Sequence, residues 1–210
     1  MSDASTLDEL LAAHAAGHLS PALSLIVATH LALSPESRRR YRCFEAAGGV
    51  LLDRIEPASL APGAWQRMLA RLDAEEGAKP MLVHPVSWPG IPRPLRDHLP
   101  ASPDAVRWRP LPNARAIDLD LGDPGFRTSL ISVHAGRAFP RHGHAGREII
   151  LTLEGGFRDE SGHYRRGDLQ IAEAGEEHQP VADEDQDWLW LRVLDAPLRP
   201  VGEFAGLRDL

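Results

Sequence analysis

The spacing of the apolar residues changes once along this chain, and that change constrains the fold more than any other feature. Up to residue 76 apolar positions recur three and four apart; beyond Asn113 they recur at every second residue. The first spacing places side chains on one stripe of a helix and the second on one face of a strand, so helices must come first and a sheet second. Leu7, Leu10, Leu11 and His14 follow the helical spacing, as do Leu23, Ile26, Val27, His30 and Leu31. Each stripe needs a packing partner. Thr6 and Glu9 stand at capping-box spacing, Gly17 is placed to end that helix, and Ser20-Pro21 and Ser34-Pro35 each read as an N-cap followed by proline at the first helical position. There the missing N–H of proline costs no hydrogen bond. A fourth helix is expected from Gly63 to Glu76, with Trp65, Met68, Leu69 and Leu72 on its inner face.

In the second part, Ala116 to Leu121, Phe126 to Val133, Glu148 to Leu153, Asp168 to Ala172 and Trp188 to Leu194 read as short strands, and Asp159-Glu-Ser-Gly162 reads as a hairpin turn. With no helical pattern between them, these strands imply an antiparallel sandwich or barrel. Trp188 and Trp190 share parity and are expected in its packing. Between the two parts, prolines recur too often for a helix interior or a central strand. The fold class is therefore α+β: a small helical bundle over residues 1–78, a proline-rich linker or surface lead-in over 79–112, a β-domain over 113–197 and a tail over 198–210.

Charge and cysteine content narrow the function. A formal charge of -7 disfavours direct nucleic-acid binding and suits a basic protein partner. Four arginines, Arg38, Arg39, Arg40 and Arg42, would spread around a helix and form a solvated face. The single cysteine, Cys43, excludes an internal disulfide framework and fits a reducing compartment. The opening MSDASTLDELLAAH is acidic where a signal peptide is basic, and no apolar run approaches the roughly 20 residues that span a bilayer. A cytoplasmic protein without a membrane segment is expected.

The chemistry concentrates in GRAFPRHGHAGREIILTLEG, residues 136–155. His142 and His144 share a strand face, Glu148 has the same parity, and GDLQIAEAGEEHQP supplies His178 after a flexible glycine. Three imidazoles and a carboxylate complete the shell of a borderline divalent ion, and the metal bonds offset the desolvation of polar groups inside a barrel. His134 and His163 stand outside this pattern. His14 and His18, four apart, could seat a metal with Cys43, but core or surface positions are the expectation.

These residues resemble the cupin superfamily, whose first motif is matched by Gly136, His142, His144, Glu148 and Gly155 and whose second by Gly167, Gly175 and His178. Glu173 and Ala182 stand where that motif usually has proline and asparagine. The resemblance implies a jelly-roll barrel. The whole chain, and in particular LAAHAAGHLSPALSLIVATHLALSPESRRR, resembles the ChrR-type anti-sigma factors. That resemblance implies a helical domain that sequesters an extracytoplasmic-function (ECF) sigma factor and a zinc-bearing cupin domain that responds to stress. In the family a second zinc uses a histidine followed by two cysteines; here His30 is followed by Ser34 and Ser37, and the place of a further histidine falls near Ser5. Serine hydroxyls do not replace thiolates, so this N-terminal site is not expected to bind metal. Ser34 is then a helix cap and His30 a hydrogen-bonded core residue.

One divalent metal per chain is therefore expected, zinc by resemblance, with Fe, Mn and Ni admitted by the same donor types. Two other functions compete: a metal-dependent cupin enzyme of dioxygenase type, and a small-ligand-binding cupin. Edge strands would also admit a homodimer.

Overall fold

The helical stripes become α1 (Ala4–Ala15), α2 (Pro21–Leu33), α3 (Pro35–Leu52) and α4 (Ala64–Glu76) in a computed structural model that describes residues 4–76, 88–100, 102 and 105–206. Thr6 is not the cap of α1, because the helix already runs at Ala4; local spacing marks a capping box without excluding an earlier start. The other boundaries hold, although Ser20 caps by position only and its side chain makes no cap bond. Gly17 has φ +69°, its N–H donates to His14 O, and His18 N–H donates to Ala13 O, the paired bonds of a left-handed helix end. Ser20 is extended before Pro21, and Ser34 Oγ accepts from Ser37 N–H at 3.2 Å.

The sheet portion contains β1 (Arg109–Leu111), β2 (Ala114–Leu119), β3 (Arg127–Val133), β4 (His142–His144), β5 (Glu148–Glu154), β6 (Gly156–Asp159), β7 (Gly162–Arg165), β8 (Leu169–Ala172), β9 (Glu177–His178), β10 (Val181–Ala182), β11 (Trp188–Leu194) and β12 (Leu198–Pro200). One antiparallel sheet has the order β1-β2-β3-β11-β5-β8; two smaller sheets have the orders β10-β6-β7 and β12-β4-β9. The inner faces meet in an aromatic stack. Phe157 and Trp188 lie 4.2 Å apart, Trp188 and Trp190 4.5 Å apart with planes 7° from parallel, and Phe139 meets Trp190 edge-on. This is the expected α+β, antiparallel cupin architecture.

The six-stranded sheet is covered on its outer face as well. Ile149, Leu151 and Leu153 of β5 and Leu191 and Val193 of β11 share a core with Leu10 and Leu11 of α1 and Leu25, Ile26 and Val27 of α2. Burial on both faces explains why EIILTLE and WLWLRVL read as nearly continuous apolar runs instead of clean alternations. The described part of the proline-rich stretch joins this core through Trp88, Ile91, Leu95 and Leu99, with Leu95 in a short helix, α5 (Arg93–Arg96). Trp88 Nε1 donates to Pro100 O at 2.8 Å. Proline prevents a long regular element there, yet it does not prevent burial of the apolar residues between prolines.

A further expectation fails. The apolar residues of α4 do not face inward: Trp65, Met68, Leu69 and Leu72 are 54, 49, 41 and 54% exposed. Val50, Leu51 and Leu52 at the end of α3 and Ile55 just beyond it are exposed too. The amphipathic period is present, but among the described residues the chain supplies no surface to cover it.

Candidate metal centre

β4 carries His142 and His144 on one face because residues two apart in a strand point the same way. β9 pairs with β4 so that His142 and His178 are direct neighbours across the ladder. Glu148 opens β5 after a tight reversal in which Arg147 N–H donates to Asp195 Oδ1 at 2.6 Å. A Cβ at Gly146 would collide with that same carboxylate, so the reversal requires glycine. Gly136, Gly155, Gly167 and Gly175, the glycines that frame the two motifs, all have positive φ, a region costly for other residues. At the two motif positions that depart from the cupin pattern, Glu173 pairs with Arg147 at 3.0 Å and Ala182 is buried in the aromatic core. Neither departure disturbs the donor set.

The four expected donors meet. Glu148 Oε2 lies 3.5 Å from His142 Nε2, 3.0 Å from His144 Nε2 and 3.4 Å from His178 Nε2. His142 Nε2 and His178 Nε2 are 3.0 Å apart. All four side chains are buried, their donor atoms lie within 4.8 Å of one another, and they form the one such group among the described residues.

The outer nitrogens explain why this cluster suits a cation. Nδ1–H of His142 donates to Pro140 O at 2.7 Å, Nδ1–H of His144 to Glu176 O at 2.9 Å, and Nδ1–H of His178 to Asp159 Oδ2 at 2.9 Å. Carbonyls and carboxylates only accept, so every neutral ring turns an Nε2 lone pair toward Glu148. Three lone pairs and a carboxylate cannot share this space without a positive charge among them. Glu148 Oε1 is also buried with no hydrogen-bond partner. The residues therefore fit a divalent metal of the Zn, Fe, Mn or Ni class.

In the metal-free cluster a protonated His178 supplies that positive charge. Burial would raise the Glu148 carboxyl, yet the surrounding imidazoles of His142, His144 and His178 hold it well below the usual carboxylate range. Burial would lower His178, yet Asp159 and Glu148 raise it to about 9. Arg192, fully buried on the inner face of β11, is pushed down to about 10 by burial, with the Glu148 charge opposing the shift.

Asp159, Gln170 and Arg192 were not anticipated as part of this environment. Asp159 stands in the sequence as a turn residue, and only its shared parity with Phe157 hinted that it faces inward. The other described histidines are not part of this donor group. His134 is exposed beside Asp187, His163 Nε2 is 2.8 Å from Asp183, His14 Nδ1 is 3.3 Å from Ser24 Oγ, and Cys43 is exposed.

His30, Ser34 and Ser37 also come together, through hydrogen bonds. His30 Nδ1–H donates to Gly167 O at 2.9 Å, Ser37 Oγ lies 2.7 Å from His30 Nε2, and Ser34 Oγ donates to Ser37 Oγ at 3.1 Å. The group links α2, α3 and the turn between β7 and β8. Gly167 sits against Leu33, with a Cβ at that position falling 3.4 Å from the Leu33 side chain.

Comparison with known proteins covers the same territory. Residues 96–195 match the ChrR cupin-like domain family. Over 193 residues, 91% of this chain and 89% of the relative, the sequence is 40% identical to the anti-sigma-E factor ChrR of Cereibacter sphaeroides. Among solved structures it is similar to the complex of Rhodobacter sphaeroides SigE with the anti-sigma ChrR, at 38% identity and a TM-score of 0.77, covering 89% of this chain and 96% of that one. An RmlC-like cupin protein from Ralstonia eutropha aligns at 22% identity and a TM-score of 0.43, over 48% of this chain and 70% of that one.

Proposed function

This chain belongs to the ChrR anti-sigma factor family, and from that membership we propose that it is an anti-sigma factor whose α3–α4 arm binds an ECF-type sigma factor while its barrel holds one regulatory divalent cation, zinc. The observation that carries the reading is the uncovered apolar face of that arm. Leu51, Leu52, Trp65, Met68, Leu69 and Leu72 are exposed, whereas the apolar residues of α2, β5 and β11 are largely buried. Exposed apolar patches of this kind mark protein interaction sites, and aromatic and large aliphatic residues dominate the energetics of such contacts. The chain's charge of -7 suits a basic partner. No helix among the described residues is long and apolar enough to cross a membrane.

His142, His144, Glu148 and His178 are the residues that would hold the cation. Bound there, it supplies a positive charge that ties β4, β5 and β9 together. Zinc is preferred through the family, since imidazole and carboxylate donors accept several divalent metals. The His30–Ser34–Ser37 group holds no thiolate, so the stoichiometry proposed is one metal per chain.

The test pairs a sigma factor encoded beside this chain with the purified full-length protein. Wild type should form a stable complex, and Leu69→Arg combined with Leu72→Asp should weaken it by about 100-fold, as loss of a central apolar anchor does. Elemental analysis should return one zinc per chain. Failure of the wild type to bind a sigma factor would remove the regulatory reading; iron in place of zinc would favour a dioxygenase-type enzyme.

A further inference from the structure

The three imidazoles of the centre are not held alike. His142 and His144 donate from Nδ1 to main-chain carbonyls, those of Pro140 and Glu176, whereas His178 donates to a carboxylate, Asp159 Oδ2, at 2.9 Å. We propose that Asp159 is a positioning residue for the cation centre, fixing His178 in the tautomer that turns Nε2 inward and making that nitrogen the strongest donor of the three. The proposal rests on the cation-binding reading given above.

The two carboxylate oxygens divide their work. Oδ1 builds the β6–β7 turn, accepting from Ser161 N–H at 2.8 Å, Ser161 Oγ–H at 2.6 Å and Gly162 N–H at 3.1 Å. Oδ2 faces His178 and also accepts from Gln170 Nε2. A residue needed only for the turn would use Oδ1 alone. Among the described residues the ionic partner of Asp159 is His178, while Ser161, Gly162 and Gln170 are neutral donors. The negative charge is therefore orientated by the turn and delivered to one imidazole. A carboxylate behind a metal-bound imidazole fixes the ring, sets its tautomer and raises its basicity, and loss of such a partner weakens metal binding about 10- to 100-fold.

Asp159 also lines an open slot with Ser161, Tyr164, Gln170, Glu177 and His178. Its side chain is nonetheless fully covered, and that of His178 is 7% exposed.

Asp159→Asn separates the two roles. The amide oxygen can keep the turn bonds, while the amide NH2 faces His178 as a donor and favours a ring with Nδ1 accepting and a proton on Nε2. Zinc affinity of the full-length chain is measured at neutral pH by competition with a chromophoric chelator. Asp159→Asn should bind about 10- to 100-fold more weakly than wild type, while Ser161→Ala, which loses the hydroxyl contacts to Asp159 Oδ1, Tyr164 and Gln170 and keeps the Asp159 Oδ2 contact to His178, should stay within about threefold. Equal affinity in wild type and Asp159→Asn would overturn the proposal, as would an equal loss in Ser161→Ala. If Asp159→Asn fails to fold, ring nitrogen NMR on zinc-loaded wild type decides: His178 should carry its proton on Nδ1 and coordinate through Nε2, and coordination through Nδ1 would refute the assignment. Absence of zinc binding by the wild type would instead sink the underlying reading, and this one with it.

Discussion

His30 occupies a position that, in the family this chain resembles, carries a metal ligand, and here it does different work. Burial lowers its pKa below the ordinary 6.5, with the Gly167 carbonyl only partly opposing the shift. A histidine whose pKa is depressed on folding favours the neutral ring, so the stability it contributes is present above about pH 6.5 and is lost as pH falls toward the lower folded value. The stability difference between the full-length protein and His30→Gln, read from denaturation midpoints, should therefore shift against the wild type as pH falls from 7.5 to 5. At the centre itself, Glu148→Gln removes the one anionic donor and should reduce bound metal from one equivalent to near none, read by elemental analysis after gel filtration. The grouping of His142, His144, Glu148 and His178 could be read from sequence because strand parity fixes the two histidines on one face, Glu148 follows within four residues, and a glycine-framed second motif supplies His178. Asp159 could not be identified in that way. It reaches His178 across 19 positions, and its own neighbours explain it fully as a turn residue.

Long strands and helices announced themselves, while short strands did not. β5 and β11 run for seven residues each, long enough for a pattern, whereas β9 and β10 have two residues each and no period at all. α4 fails differently. Its period was correct, but amphipathicity states that a face must be covered without stating by which molecule. This separates stability from binding. Leu72→Asp should change the midpoint of thermal unfolding by no more than about 0.5 kcal/mol of stability, as surface substitutions do. Leu25→Ala in α2, where the residue is buried between helices and sheet, should cost about 2–5 kcal/mol. Chemical denaturation of the two variants, followed by circular dichroism, checks the contrast.

For the molecule as a whole, the shared core decides how it unfolds. Helices and six-stranded sheet are joined through the outer side chains of β5 and β11, so removing the helices would expose a wall of leucine, isoleucine and valine. Fluorescence from the stacked Trp188 and Trp190 and circular dichroism from the helices should report one coincident transition. A cation that binds only the folded form adds to the free energy of that transition, by about 2.7 kcal/mol at a free concentration one hundred times its dissociation constant. Glu148 and Ile149 are consecutive: the first faces the imidazoles, the second the helices. A loaded barrel and an empty one therefore differ by forces applied a single peptide bond away from the floor on which α2 rests, and amide exchange along that helix is where the difference should surface.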